Sequence, residues 1–368
     1  MRIAYLSRGN TSVDRRFLKK MVDRGHEPTL ISYSREDVVE VPGVQVCHYP
    51  GLIPARIGRL VFLQRAWHLR RLLARLKPDI LHTFWMPDHG FYGAVSGFHP
   101  TVAMTAGSDV LLRPQEGRVL RWEIEFALKR ADRVACDCEY VKRKILELTG
   151  RRSDAIVVFT HGVDLSVFRP SPPPSSLRRR LGWEGNTVLI MCRGLNKPIY
   201  GLEYFVEVLP VVVRARPDTR VIFLGAGPIE PVCRARVAEL GLSEKVHFAG
   251  QVDEMEVAEH LNAADIYVSS SLSDGSSVAM LEAMACGLPV VVSDVPSYLE
   301  WVEDGVNGFI VPRRDTATLA SRLSELVGHP EAQRAMGQRN LHIAQVRADW
   351  ESSFSVLEDV YRGLVNHR

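Results

Sequence analysis

The sequence predicts an α/β fold of two successive domains, each built on a parallel sheet with helices on both faces. Three observations carry that expectation. Short apolar runs of strand length alternate with helical stretches along most of the chain, the pattern of parallel sheets covered on both sides. The alternation is interrupted by SPPPSS at 171–176, where proline removes backbone donors and stiffens the chain, as in a linker. The chain has 368 residues, enough for two domains with a substantial core each.

In the first set, RIAYLS (2–7) is a strand ahead of a polar loop, residues 13–24 suit a helix and 28–33 a second strand. Strand-like runs recur near 79–84, 100–104, 132–136 and 155–159. The second set opens with the strand TVLIMC (187–192) and the helix 202–215, which carries Pro210. It continues with the strand TRVIFLG (219–225), a helix at 229–240, the strand VHFAG (246–250), a helix at 253–262 and the strand DIYVSS (265–270). The helix SSVAMLEAMACG (276–287) and the strands 289–294 and 308–312 complete it. In the last helical stretch, 349–365, Trp350, Phe354, Leu357 and Tyr361 recur at helical spacing and mark a packed face. That spacing does not say on which domain the face packs.

Composition excludes little. Apolar residues make up 46% and charged residues 24%, an ordinary globular mixture. Lys and Arg number 46 against 43 Asp and Glu, so the net charge of +3 leaves any charge argument to local clusters. The six scattered cysteines read as reduced cytosolic thiols. Cys136 and Cys138 have one residue between them and no second ligand pair after them, which argues against a structural zinc site. MRIAYLSRGN reads as a strand and polar turn, not a signal peptide, and no run of 18 uncharged apolar residues suggests a membrane span. The expected location is cytoplasmic.

Open α/β sheets bind ligands at the carboxyl ends of their strands. Four polar features of the second half fall there: Arg193 after 187–192, Gly225, Gly227 and Pro228 after 219–225, Gln251 and Val252 after 246–250, and Asp274 and Gly275 after 265–270. The helix beginning at Ser276 and Ser277 follows a glycine-containing loop, so its first N–H groups and positive dipole end suit a diphosphate. Arg193 can grip phosphate with paired donors. Together they would stabilise charge that grows on a leaving diphosphate. Glu282, eight residues past Asp274, is better placed for ribose hydroxyls, and Asp274 for sugar hydroxyls. For each acid the plain alternative is a cap or a solvated carboxylate.

At this point the sequence resembles the GT-B glycosyltransferases of family 4. The resemblance rests on D274-GSSVAML-E282-AMACGLPVVVSD, on VVFTHGVDLSVFRP (157–170), on TAGSDVLLRP (105–114) and on KVHFAGQVDEMEVAEHLNAADIYVSSS (245–271), and it runs over roughly residues 1–365. It implies two Rossmann-like domains facing across a cleft: an acceptor domain at 1–170, a nucleotide-sugar domain at 171–348, and a final helix, 349–368, crossing back to the first. It implies a retaining, metal-independent transfer of a hexose-type sugar from a UDP- or GDP-linked donor, with no tightly bound cofactor. The acceptor would be a hydroxyl of a glycan, a lipid-linked or a small molecule. Glu282 then matches the ribose carboxylate, Asp274 the donor-sugar carboxylate and Arg193 the diphosphate arginine. Lys197 stands near the place of a phosphate lysine, in a longer loop. Backbone around 250–252 would meet the base. Three positions depart from the family pattern: Asp274 replaces a glutamate, Ala106 a histidine, and the Lys197 loop is extended.

On the acceptor side, Gly9 in SRGN lets backbone approach donor phosphates or acceptor, and Arg8 is either a contact to an anionic group or a surface arginine. Asp109 in the GSD segment is either a site residue or a turn cap. The segment 55–79 carries Arg56, Arg59, Arg65, Arg70, Arg71, Arg75 and Lys77 among Leu, Val, Phe and Trp67. Two readings stay open for it: a helix packed by its apolar face with arginines in water, or an amphipathic surface meeting an anionic membrane peripherally on its inner face through 55–77. No recognition module for nucleic acid accompanies the charge. SRGNTSVD has one glycine and GAG at 225–227 lacks a third, against a dinucleotide dehydrogenase. The competing readings on the same architecture are a nucleotide-sugar epimerase, a sugar phosphorylase and a non-catalytic nucleotide-sugar or glycan-binding protein.

Overall fold

The computed structural model describes residues 1–34, 38–48, 58–171, 176–192 and 194–366. Arg193, Arg56 and most of the proline-rich stretch, 172–175, lie outside the described residues. The chain forms two compact units, one of Met1–Phe159 with Phe354–Arg368, the other of Thr160–Ser353. Residues 160–170, ahead of the proline stretch read as a linker, cluster with the second unit, whose core takes in Val163 and Phe168.

The first unit holds a seven-stranded sheet: β1 (Arg2–Leu6), β2 (Glu27–Ser32), β3 (Gln45–His48), β4 (Ile80–Phe84), β5 (Thr101–Met104), β6 (Arg133–Cys136) and β7 (Ile156–Val158). Its order is β3-β2-β1-β4-β5-β6-β7 and every pair is parallel. The central strand β1 is buried from Ile3 to Leu6. The edge strand β3, QVCH, is mostly exposed and carries no apolar run, so no periodicity announces it. The first helix, Ser12–Asp23, starts with a reciprocal cap: Thr11 Oγ1 accepts from Asp14 N at 3.1 Å, and Asp14 Oδ2 from Thr11 N at 3.0 Å.

The second unit holds β8 (Thr187–Cys192), β9 (Thr219–Leu224), β10 (Val246–Gly250), β11 (Ile266–Ser269), β12 (Val290–Ser293) and β13 (Gly308–Val311), all parallel in the order β10-β9-β8-β11-β12-β13. Alternate residues of one strand enter opposite cores. Val188, Ile190 and Cys192 face one cluster, Leu189 and Met191 the other. Both faces are therefore dry, which is why these strands read as unbroken apolar runs.

The helix expected at 276–287 spans Val278–Ala285. Ser277 is its cap rather than its first turn: the backbone there is extended, and its hydroxyl accepts from Met280 N at 3.3 Å. Beyond it, Gly287 turns the chain with φ of 79°. The helix Pro330–Arg347, which had no periodic signal, packs there so closely that a Cβ on Gly337 would lie 2.0 Å from the Gly287 carbonyl oxygen. The last helix is Trp350–Asn366; Phe354, Leu357 and Tyr361 are fully buried, and in the first unit the Tyr361 hydroxyl meets His82 Nδ1 at 2.5 Å.

Candidate active site

In both sheets the strand order reverses once, between β1 and β4 and between β8 and β11. At such a switch point the flanking loops diverge and leave a crevice at the carboxyl ends of the strands. In the second unit these loops are tied to one another. After β8, the loop Lys197–Gly201 docks on the loop after β11: Leu272 N donates to Ile199 O at 2.8 Å and Ser270 Oγ to Gly201 O at 2.7 Å. After β9, Gly225 N donates to Gly250 O of β10 at 2.9 Å, and Ile229 N to Leu195 O at 3.3 Å. A Cβ on Gly227 would stand 2.2 Å from that same Leu195 oxygen, so only glycine admits the approach. From the other side, the Ser293 hydroxyl donates to Ser271 O. Arg313, held by its N and Nε on Asp294 Oδ1 at 2.9 Å each, reaches Leu272 O at 3.3 Å.

The segment Leu272–Ser277 is thus fixed from several strands. Asp274 is half-buried; its Oδ2 accepts from the Tyr298 hydroxyl at 3.0 Å, and its main-chain oxygen from Ser297 Oγ at 3.0 Å. Burial first, and then the Asp274 charge, push the Tyr298 phenol far above its usual range, so the hydroxyl is a standing donor. Gly275, Ser276 and Ser277 are buried, at the end where the helix Val278–Ala285 presents its first N–H groups. Glu282 is half-buried within that helix. Burial, with the Glu282 charge second, pushes the neighbouring Cys286 thiol up to about 12. Lys197 is exposed ahead of the short turn Pro198–Tyr200, Gln251 is exposed, and Val252 packs partly buried on the core. Tyr298, Ser297, Ser293 and Arg313 had no signal in the sequence, because nothing local says that the end of β12 and the segments after β12 and β13 meet the loop 271–274.

In the first unit Gly9 is buried with φ of 72°, and a Cβ there would meet Leu30 Cδ2 at 2.8 Å; Arg8 beside it is exposed. Asp109 is completely buried. Its Oδ1 accepts from Ala106 N at 2.9 Å and its Oδ2 from Met86 N at 3.1 Å, and burial raises it to about 6. That is the turn-holding arrangement: the carboxyl group joins the segment after β5 to the segment after β4. Around it the structure adds groups that no motif marked. His89, 2% exposed in the π-helical turn Met86–Gly90, stacks on Tyr33 at 5.3 Å, and the Arg65 guanidinium lies 4.7 Å above the Tyr33 ring. Burial, followed by the charge of Arg8, lowers His89 to about 3. On the helix Gly58–Leu76, Ala66, Leu69 and Leu73 are buried while Arg70, Arg71 and Arg75 are exposed, and Arg71 covers the half-exposed Trp67 ring at 4.6 Å.

Among the described residues no cluster of three or more His, Cys, Asp or Glu could hold a metal ion, and no helix is long and apolar enough to cross a membrane. The six cysteines are all free.

Known families match both units. The family described as Glycosyltransferase Family 4 matches residues 13–167, and Glycosyl transferases group 1 matches residues 185–329. The chain belongs to glycosyltransferase family 4. Its fold is GT-B, two Rossmann-like units, as the resemblance implied. This family-4 chain is 28% identical over 240 residues to a D-inositol 3-phosphate glycosyltransferase of Thermobispora bispora, a match covering 63% of this chain and 56% of that protein. It is 26% identical over 281 residues to a GDP-mannose-dependent monoacylated alpha-(1-6)-phosphatidylinositol monomannoside mannosyltransferase of Corynebacterium glutamicum, covering 72% of each. The match thus spans little more than half the length of the inositol-phosphate enzyme. Among solved structures, HepE of Anabaena in complex with UDP-glucose shares the fold at a TM-score of 0.81 and 19% identity, covering 98% of this chain and 99% of that one.

Proposed function

We propose that this chain is a retaining, metal-independent glycosyltransferase that moves a hexose-type sugar from a UDP- or GDP-linked donor to a hydroxyl of a glycan, lipid-linked or small-molecule acceptor. The observation that carries the proposal is the bracing of Leu272–Ser277 at the switch point of the second sheet. It sets a carboxylate, Asp274, and a helix N-terminus side by side. In this reading the second unit holds the donor. The N–H groups at Gly275–Ser277 and the first turn of Val278–Ala285 take the diphosphate, with Arg193 and Lys197 as its cations. Glu282 takes the ribose, the backbone at Gln251 and Val252 the base, Gly225 admits the nucleotide closely, and Asp274 takes the sugar hydroxyls. As the bond from anomeric carbon to phosphate oxygen breaks, negative charge gathers on the diphosphate. Fixed N–H dipoles and cations stabilise it most in the transition state. The first unit serves the acceptor, with Arg8 at the loop after β1, where Gly9 lets backbone approach donor phosphates or acceptor, and Asp109 acts there through the turn that it holds. The named reactions of the relatives, on inositol phosphate and on phosphatidylinositol mannoside, support an acceptor with an anionic or lipid-linked part.

We place the protein in the cytoplasm, and the exposed arginines of Gly58–Leu76 beside Trp67 support a peripheral contact with an anionic inner leaflet. Sedimentation with anionic vesicles tests this: binding should fall steeply with salt and with Arg70, Arg71 and Arg75 changed to Glu, and salt-independent partition into the supernatant contradicts it.

The enzymatic reading is tested by incubating the purified chain in EDTA with a panel of nucleotide sugars. Nucleoside diphosphate release or transfer is expected with one UDP- or GDP-sugar, and Glu282→Ala should lower it at least tenfold. Tight nucleotide binding without turnover on any donor would instead mark a binding protein on this fold. Interconversion of the donor sugar without diphosphate release would mark an epimerase.

A further inference from the structure

The carboxylate at the donor-sugar end of the pocket is an aspartate, one methylene shorter than the glutamate common in the family at this position. A shorter side chain reaches less far and is set more by its own backbone. Both the carboxylate and the main-chain oxygen of Asp274 accept from the segment after β12. Tyr298 Oη donates to the carboxylate at 3.0 Å, and Ser297 Oγ donates to the main-chain oxygen at 3.0 Å. These neighbours enter from the segment after β12, 24 and 23 residues along the chain.

Tyr298 is completely buried, and its hydroxyl sits in a row of hydroxyls. Ser269 Oγ lies 3.2 Å from Tyr298 Oη, and Ser271 Oγ lies 3.1 Å from Ser269 Oγ. Ser269, Ser271 and Tyr298 are all buried. A buried phenol needs a partner for its proton, and a carboxylate is the strongest acceptor within reach. The row can therefore be satisfied in one sense: the serines supply hydrogen bonds to the phenolic oxygen and the phenolic proton points at Asp274. A phenylalanine at 298 would keep the packing and lose that orientation.

We infer that Tyr298 is a positioning residue for donor-sugar recognition, acting through Asp274: its hydroxyl fixes where the short carboxylate sits. The inference rests on the reading of Asp274 as the donor-sugar carboxylate. It separates two parts of donor binding. The nucleoside diphosphate is held by other groups and is indifferent to Tyr298; the sugar is not. A merely structural tyrosine would weaken both together.

The test compares wild type, Tyr298→Phe, Asp274→Ala and the double variant. Affinities for UDP, GDP and the active sugar nucleotide are measured by calorimetry, and kcat and KM by diphosphate release. Tyr298→Phe should keep nucleoside diphosphate affinity within twofold and lower kcat/KM for the sugar nucleotide about tenfold to a hundredfold, the range for a hydrogen bond to a charged group. In the Asp274→Ala background the same change should have no further effect on donor affinity. Asp274→Glu combined with Tyr298→Phe should recover part of the loss, because the longer acid reaches the sugar without the brace. Equal loss of nucleotide and sugar-nucleotide affinity, or a Tyr298→Phe enzyme within twofold of wild type, overturns the inference while the wild-type activity leaves the proposed function standing. A wild type that binds no nucleotide and turns over no donor fails the proposed function instead, and the inference with it.

Discussion

Gly201→Ala is the substitution whose effect the loop geometry fixes most closely. Gly201 has φ of 65°, and a Cβ built on it would lie 2.1 Å from Ser270 O and 2.9 Å from Ser270 C, both backbone atoms with little room to yield. The left-handed conformation alone costs about 1–2 kcal/mol for a side chain with a Cβ. Ordinary carbon–oxygen contact begins more than 1 Å farther out, roughly 3.4 Å, so the loop must lift off the strand end. Lifting it breaks Ser270 Oγ to Gly201 O at 2.7 Å and Leu272 N to Ile199 O at 2.8 Å. At about 1 kcal/mol each, these bring the total to ~3–4 kcal/mol, or roughly 6–16 °C in the unfolding temperature of a unit of this size. The same movement displaces Lys197 and frees the segment before Asp274, so nucleotide affinity should fall along with stability. Thermal and urea unfolding followed by nucleoside diphosphate titration provide the assay. A Gly201→Ala protein that unfolds within about 1 kcal/mol of wild type and binds nucleotide equally well refutes the argument that this contact braces the site.

Three other outcomes follow from the structure. Asn340 is completely buried, donating to Leu288 O and Asn307 O at 2.8 Å each and accepting from Asn307 Nδ2 at 2.7 Å, so Asn340→Ala should lower stability by ~2–4 kcal/mol in urea while KM for the donor stays unchanged. His89 is held neutral in the folded chain down to about 3, whereas an unfolded histidine protonates near 6.5; the unfolded chain therefore binds more protons in that window, and stability falls as pH drops through it. His89→Phe should flatten that fall, which is on the order of 2 kcal/mol between pH 7 and pH 5 in urea titrations. Asp109 has the opposite sign: with a folded value of about 6 against an unfolded ~3.9, its contribution is full below about pH 4 and is lost as pH rises through 6, so Asp109→Asn should remove that counter-trend in the same titrations.

Much of the second unit was legible because its strands are dry on both faces. TVLIMC and VHFAG coincide with β8 and β10 residue for residue, and the helix 202–215 likewise coincides with Leu202–Ala215. The strand-end rule also located the loops of the candidate site, since glycines and acids there stand out against apolar runs. What escaped lacked such contrast. The strand Gln45–His48 is an exposed edge without alternation. The helix Pro330–Arg347 turns Met336, Gly337, Asn340 and Ala344 inward, a stripe of small and polar residues that meets Gly287 by close approach rather than by apolar bulk. SSVAMLEAMACG reads as helix from Ser276, whereas the Ser277 hydroxyl serves the backbone as a cap and the helix starts at Val278. Tyr298 carried no signal because it is buried and the partner of its hydroxyl lies 24 residues away. Asp109 shows the reverse case, a motif acid whose oxygens are taken by backbone N–H groups.

The most direct measurement of the central claim is nuclear magnetic resonance of the reaction of the purified chain with the active nucleotide sugar in EDTA, read at the anomeric proton. Diphosphate release without added metal is expected, with a product whose anomeric configuration is that of the donor, and both should fall at least tenfold in Glu282→Ala. Saturable nucleotide binding with an unchanged donor spectrum, or a product of inverted configuration, contradicts it.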